Sequence, residues 1–481
     1  MTDKKSGAQI SAKAFLQAVL IIFALMMIAG ILTRLVPAGQ YARLEVDGRE
    51  VIDPTSFSLT ERPDYPVWRW FTAPFEVLAA PGNLTVIAII LFILLVGVAF
   101  AVMDKSGILK SVISRIIRTF GSRKYTLLLV ITFFFMALGA FFGIFEEVIP
   151  LVPIIIALAF SLGWDSLTGL GMSILATNVG FSLAVFNPFT IGVSQKLAGL
   201  PMFSGALPRL VLFIVGYLIL AAFLRAYARK IDKHPEASPV FQEDQKERQR
   251  LGAFEIEQTN NPRMRAAIVF LAVFFALILA VLVASPFIEF LSEYALPITG
   301  LLFVIGGIGA GLIAGVGRAV WKAAWDGFLG IAPAVPLLMM AASVRYIVQM
   351  GGILDTILHS ASALTAGLSP LGAALAIYGL TLVMELFITS GSAKALLLIP
   401  ILMPLADLVG VNRQIAVSAY CFGDGFSNLV YPTNAALLIT LSLTVVPYHK
   451  WVKWLLKLWF WVFLATLAFL VVAVAINYGP F

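Results

Sequence analysis

FFGIFEEVIPLVP, residues 141–153, sets two adjacent carboxylates, Glu146 and Glu147, inside an apolar run, and FNPFTIG, residues 186–192, interrupts the next run at Asn187-Pro188. An ionisable pair embedded in a bilayer costs several kcal/mol unless it faces a cavity or a partner, which makes it a candidate functional site. Proline removes a backbone donor and disfavours helical geometry in the residue before it, so the second run reads as two half-helices. The backbone groups freed between them can serve a ligand or an ion.

Sixty per cent of the 481 residues are hydrophobic and 12% are charged, against about 45–50% apolar residues in soluble domains. The chain reads as an all-α polytopic membrane protein. Its single cysteine, Cys421, excludes a disulfide framework, and His234, His359 and His449 show no ligand spacing, so no metal site is expected. No Walker, GxSxG or kinase signature and no nucleophile–base constellation is present, which argues against an ATP-driven pump or an enzyme. No cofactor is expected; Na⁺ or H⁺ is the candidate coupling ion. The net charge of +7 lies between apolar spans and serves as an orientation signal, not as a sign of nucleic-acid binding.

MTDKKSGAQISAK precedes an apolar run from Ala14 to Val36, too long for a signal-peptide core and read as a retained first helix. Pro37 to Gly82 is polar, with WRWF at 68–71, and reads as an external loop; a span over 83–103 follows. DKSGILKSVISRIIRTFGSRK at 104–124 carries six Lys or Arg and helical apolar spacing, giving an amphipathic cytoplasmic surface helix. The arms around the Glu pair, Tyr125–Phe142 and Val148–Leu162, measure roughly 27 and 22 Å against a hydrocarbon core of about 30 Å, which suits a re-entrant hairpin. Further spans are expected at 167–200 (broken), 207–228, 266–283, 296–316, 328–350 and to 476. GGIGAG at 306–311 has no preceding strand and reads as small-residue helix packing.

An internal repeat organises these pieces. MDKSGIL at 103–109 aligns with QMGGILD at 349–355, and the same register carries Glu146-Glu147 onto Gly391-Ser392 and, within one residue, Pro188 onto Pro432. The first repeat is 1–228 (hairpin 125–162, broken helix 167–200), and a cytoplasmic linker is 229–264. The second repeat is 265–481 (hairpin 371–407, broken helix 412–446). The stretch 351–369 has no Lys or Arg, so it reads as external and the repeats as inverted. The count is about nine transmembrane helices plus two re-entrant hairpins, with the N-terminus cytoplasmic and the C-terminus external.

The candidate substrate residues follow from this frame. Glu146 and Glu147 suit a cationic group, or cap the helix near Val148. Ser390, Gly391 and Ser392 offer hydroxyls and backbone N–H groups for a carboxylate, or ordinary capping. Lys394 either neutralises a substrate carboxylate or pairs with a glutamate, Glu385 among them. Asn187, Thr190, Thr433 and Asn434 flank the breaks, where they bind substrate or Na⁺, or repair the backbone. Asp424 is the coupling-ion candidate or a satisfied buried acid, and Arg345 is left undecided between a buried partner and an interfacial charge.

FNPFTIGVSQKLAGLPMFSG at 186–205, the Glu pair after FFGIF, SGSAKALLLIPILMPLADLVGV at 390–411 and FGDGFSNLVYPT at 422–433 resemble the YfcC-like branch of the anaerobic C4-dicarboxylate carrier and arginine–ornithine antiporter family. The resemblance covers nearly the whole chain. It implies a dimeric elevator-type secondary transporter of the inner membrane, with Glu146, Glu147, Asn187, Ser390, Ser392 and Thr433 near the substrate. The second hairpin reads TSGSAK where PSGSG is more usual. Two carboxylates on the first hairpin favour amino acids, basic ones such as arginine in exchange for ornithine. A C4-dicarboxylate or other small organic anion is the alternative, and a passive channel or membrane enzyme ranks below both.

Overall fold

Uncharged apolar runs satisfy their backbone groups internally by forming helices, and the first to do so is α1 (Ala12–Leu35). The structure, a computed structural model, describes residues 12–46, 49–53, 55–80, 83–120, 123–251, 261–284, 288–363 and 368–479. The basic N-terminus up to residue 11, the turn-rich linker end at 252–260, and 364–367 in the expected external stretch lie outside the described residues.

The expected all-α fold needs one correction, in the polar loop after α1. There β1 (Gly39–Gln40) pairs antiparallel with β4 (Ser58–Leu59), and β2 (Arg43–Val46) pairs with β3 (Arg49–Ile52) in the register Arg43 to Ile52. Alternation in Arg43-Leu44-Glu45-Val46 has a period of two, which suits a strand. α2 (Arg69–Glu76) completes the loop.

α3 (Leu84–Lys105) is apolar until its last residues, and Gly107, at φ +72°, turns the chain into α4 (Ile108–Phe120). α4 buries Ile108, Leu109 and Ile113 and exposes Lys110, Arg115 and Arg118, as an amphipathic surface helix should. α5 (Lys124–Ala137) continues as a π turn to Phe142, and a 3-10 turn over Glu146–Leu151 leads into α6 (Val152–Ser161). α7 (Ser166–Leu170), a π turn and α8 (Ala176–Leu183) form one fully buried rod; after a break, a π turn over Pro188–Gly192 leads into α9 (Val193–Leu197). α10 (Ala206–Lys233) and the linker helix α11 (Phe241–Leu251) follow.

The second half runs through α12 (Pro262–Ala284), α13 (Glu289–Ile313), α14 (Ala319–Ile331), α15 (Ala334–Met350), α16 (Leu354–Ala363), α17 (Pro370–Met384), α18 (Gly391–Leu408), α19 (Arg413–Phe426), α20 (Ala435–Ser442) and α21 (Tyr448–Ala475). The expected span 328–350 divides at Ala332-Pro333, because proline supplies no donor to a continuous ladder. Element order recurs between the halves: Ile108 and Leu354, Lys124 and Pro370, Ser166 and Arg413, and Ala206 and Tyr448 open corresponding helices. The aligned Gly107 and Gly352 share a left-handed backbone, at φ +72° and +69°.

Nine helices among the described residues are long and apolar enough to cross a membrane, but they are not the nine expected crossings. They include Lys124–Phe142 and Gly391–Leu408, both arms of the expected hairpins, whereas the apolar part of α1, Val19–Leu35, is shorter. α13 packs on α3 and α12, α14 on α3, and α15 on α1 and α2. A second group joins α5 and α19 to α8, α17 to α19, α18 to α9, and α10 to α21. α20 touches α15, and the tip of the second hairpin faces it across a cavity.

Candidate functional site

The first hairpin turns at Gly143, whose φ of +68° few side-chain-bearing residues adopt; a Cβ there would stand 2.3 Å from Asn187 Oδ1. Glycine thus lets the tip press onto the broken helix. Beyond it Glu146 and Glu147 open the 3-10 turn, both half-buried. The Phe145 N–H donates to Glu147 Oε2 at 3.0 Å, so this carboxylate folds back on its own tip.

The break after α8 starts with Ala184 in left-handed geometry, φ 44° and ψ 56°. Asn187 repairs it: its Oδ1 accepts from the N–H groups of Phe189 (2.9 Å) and Thr190 (3.3 Å), and its Nδ2 donates to the Phe181 carbonyl at 3.4 Å. Thr190 is buried and its hydroxyl has no hydrogen-bond partner among the described residues. In the other half Asn434 has the same duty, accepting from the Ala436 N–H at 2.9 Å. Its Nδ2 also donates to Asn428 Oδ1 at 2.9 Å and to Glu385 Oε1 at 3.4 Å.

At the second hairpin Ser390 caps α18, its hydroxyl accepting from the Ala393 N–H at 3.5 Å. Gly391 is wedged between the halves: a Cβ would lie 2.8 Å from Asp424 Oδ2 and 2.9 Å from Thr190 Cγ2. Its carbonyl accepts from the Tyr420 hydroxyl at 2.6 Å. Ser392, the next residue, is half-buried. Lys394 is fully buried; its ammonium donates to Glu385 and stands 2.8 Å from Asp424 Oδ1. The Asp424 contact is an ion pair without hydrogen-bond alignment, since neither carboxylate oxygen has a hydrogen-bond partner.

Two carboxylates share one ammonium here, in surroundings where an unpaired charge is costly. Asp424, Glu385 and Lys394 therefore form an acidic centre with more carboxylates than cations. Thr190, Gly391, Lys394, Asp424 and Asn434 meet at this point, although they come from both halves of the chain.

A cavity of about 440 Å³ opens on the other side of the second hairpin, between its tip and α3 and α15. Its polar lining includes Asn83, Arg345, Tyr346, Thr389, Ser390 and Thr433. Glu146 and Glu147 do not line it, and neither does any other carboxylate among the described residues. Of the expected substrate residues only Ser390 and Thr433 reach it. Arg345 and Asn83 were not among them. An arginine in an apolar helix was the available signal, but nothing in the sequence said which way α15 turns it. No group of three or more His, Cys, Asp or Glu side chains among the described residues can hold a metal ion.

The family model of the C4-dicarboxylate anaerobic carrier (DcuC) matches residues 15–475. An Escherichia coli (strain K12) protein named "Putative basic amino acid antiporter YfcC" is 32% identical over 467 residues, covering 90% of this chain and 91% of the relative. An uncharacterized protein of Haemophilus influenzae is 24% identical over 381 residues, 78% of this chain and 73% of its own. Among solved structures, the YdaH transporter of Alcanivorax borkumensis aligns over 97% of this chain and 98% of its own at 18% identity and a TM-score of 0.40.

Proposed function

The chain belongs to the C4-dicarboxylate anaerobic carrier family, in its YfcC-like branch, and on that premise we propose that it exchanges amino acids, basic ones best, by alternating access. It is a multi-pass membrane transporter. The observation that carries the amino-acid reading is the acidic centre: Glu385 and Asp424 against the single ammonium of Lys394. A guanidinium or ammonium group is the natural partner for such an excess, and Na⁺ or H⁺ at Asp424 is the natural coupling ion. The name of the Escherichia coli relative agrees with this assignment.

The recurring element order supports two inverted repeats, bounded as 1–228 and 265–481 about the linker 229–264. The basic face of α4 supports a cytoplasmic position for it and for the N-terminus. The mutual packing of α1, α2, α3 and α12–α15, touched by α20 at α15, supports a stationary body against which the hairpins and broken helices move as an elevator, as a homodimer in the inner membrane.

The alternative, a C4-dicarboxylate carrier, draws on the family's description and on Arg345 in the cavity. Counterflow in proteoliposomes preloaded with ornithine separates the two. Labelled arginine accumulating in the native protein and failing to do so with Glu147→Gln supports basic amino-acid exchange. Accumulation of labelled succinate from a succinate-loaded interior, with arginine excluded, refutes it.

A further inference from the structure

We infer that Arg345 is the recognition residue for the carboxylate of the transported molecule, held out from α15 across the cavity from the second hairpin. The inference rests on the transport reading but not on the choice between amino acid and dicarboxylate, since both carry the group.

Arg345 stands in an apolar helix, where a cation persists only with a partner, a water-filled cavity or a function. No hydrogen bond or ion pair joins it to any described residue, and its side chain opens into the 440 Å³ cavity. Glu76, which accepts from the hydroxyl of the neighbouring Tyr346 at 3.2 Å, is already engaged by Arg69 at 2.5 and 3.0 Å and by Thr72 at 2.5 Å. The cavity wall therefore carries one positive charge and no negative one.

The opposite wall also suits an anion. Ser390, which caps α18, and Ala393 in its first turn line that wall, at the positive end of the helix dipole. Beside it Thr433 is 6% exposed, lines the cavity, and leaves its hydroxyl unpartnered. A guanidinium fork on one side and the hydroxyls of Ser390 and Thr433 on the other can bracket a carboxylate. The volume falls within the roughly 300–1,000 Å³ of small-molecule sites.

The two walls come from different elements: α15 packs on α1, α2, α3 and α20, whereas α18 packs on α9 and α19. A carboxylate held by both would tie the second hairpin to α15 in this arrangement.

The test uses the full chain in phosphatidylcholine proteoliposomes, with Arg345→Gln and Arg345→Lys first checked for a native size-exclusion profile. We expect Arg345→Gln to raise the arginine KM about 10- to 100-fold, the scale of a lost charge-assisted hydrogen bond, with Arg345→Lys between. Inhibition by agmatine, which is arginine without its carboxylate, should be the same in the native protein and Arg345→Gln. If the protein carries succinate and not arginine, the amino-acid reading fails, yet the inference stands provided Arg345→Gln raises the succinate KM. It is overturned if Arg345→Gln keeps the native KM for the carried substrate, or if agmatine inhibition weakens in parallel with arginine. A phosphatidylglycerol dependence of transport, lost in Arg345→Gln with the KM in phosphatidylcholine unchanged, would assign the cation to a lipid phosphate and also overturn it.

Discussion

Lys394 Nζ lies 2.8 Å from Asp424 Oδ1, joining the second hairpin to α19, and neither side chain is open to solvent. Glu385 completes the group from the end of α17. Removing one member of a buried ion group strands the others, at about 3–5 kcal/mol. Lys394→Met should therefore lower the melting temperature in detergent by several degrees, and Lys394→Met with Asp424→Asn should recover part of the loss. A single variant that melts with the native protein would contradict the buried triad.

Gly391 and Gly379 make a matched pair. An added methyl at Gly391 meets Asp424 Oδ2 at 2.8 Å and Thr190 Cγ2 at 2.9 Å, whereas at Gly379 nothing lies within 4 Å. Gly391→Ala should cut the transport rate at least tenfold, because the hairpin tip must shift from the broken helix. Gly379→Ala, inside α17, should be neutral or stabilise by about 0.4–1 kcal/mol. Initial rates and thermal melts on both variants decide it; equal effects would mean that the tip does not pack as described.

The linker helix α11 docks through Asp244, whose carboxyl responds to pH. Asp244 is buried and its Oδ2 accepts from the Ser166 N–H at 2.9 Å. Burial, and then the charge of Asp165, push its carboxyl up to about 7, while the Ser166 N–H and Arg248 oppose the rise. Asp165 itself accepts from the hydroxyls of Tyr227 and Ser238 at 2.5 and 2.7 Å, and Glu243 pairs with Lys450 at 2.6 Å. Because the docked helix holds this proton more tightly than free helix would, the contribution is full below pH ~4 and fades as pH rises through about 7. Amide exchange across 241–251 should therefore quicken between pH ~4 and about 7 beyond its intrinsic pH dependence, and Asp244→Asn should remove the excess. A native profile that follows the intrinsic rate alone would refute the link.

Outside the hairpins, Asp355 at the start of α16 fastens the strand-bearing loop. Arg43 donates to both its carboxylate oxygens, at 3.0 and 2.9 Å, and the Tyr41 N–H donates at 3.0 Å. Arg43 is 35% exposed, so solvent screens the pair, and the group is worth about 1–2 kcal/mol. Asp355→Ala should speed trypsin cleavage within 39–59 by roughly tenfold with little change in the global melt. Cleavage at the native rate would show that the loop is held elsewhere.

Much of the fold was legible because bilayer-scale apolar runs, prolines at Pro188 and Pro432 and left-handed glycines at Gly107 and Gly352 act locally. The 3-10 turn at Glu146 and the breaks after α8 and α19 lie where the polar residues interrupt apolar sequence. The strands at 39–59 and the separate helix α14 were missed. A short amphipathic segment forms a strand or a helix according to what it packs against, and periodicity over so few residues does not choose. Asn187 and Asn434 flank the breaks in the sequence, but their shared role of holding the next half-helix depends on side-chain direction.

Sequence alone determined that the chain is a polytopic membrane protein, that Glu146 and Glu147 interrupt an apolar run, and that Lys394 stands in apolar surroundings. These follow from composition and spacing, which each segment carries within itself. Only the tertiary structure decided that Lys394 is spent on Glu385 and Asp424, that Thr190 of one half touches Gly391 of the other, and that Arg345 opens into a cavity. An ion pair is selected by distance and by competition among all nearby charges, and that selection exists only after α15, α18 and α19 have packed.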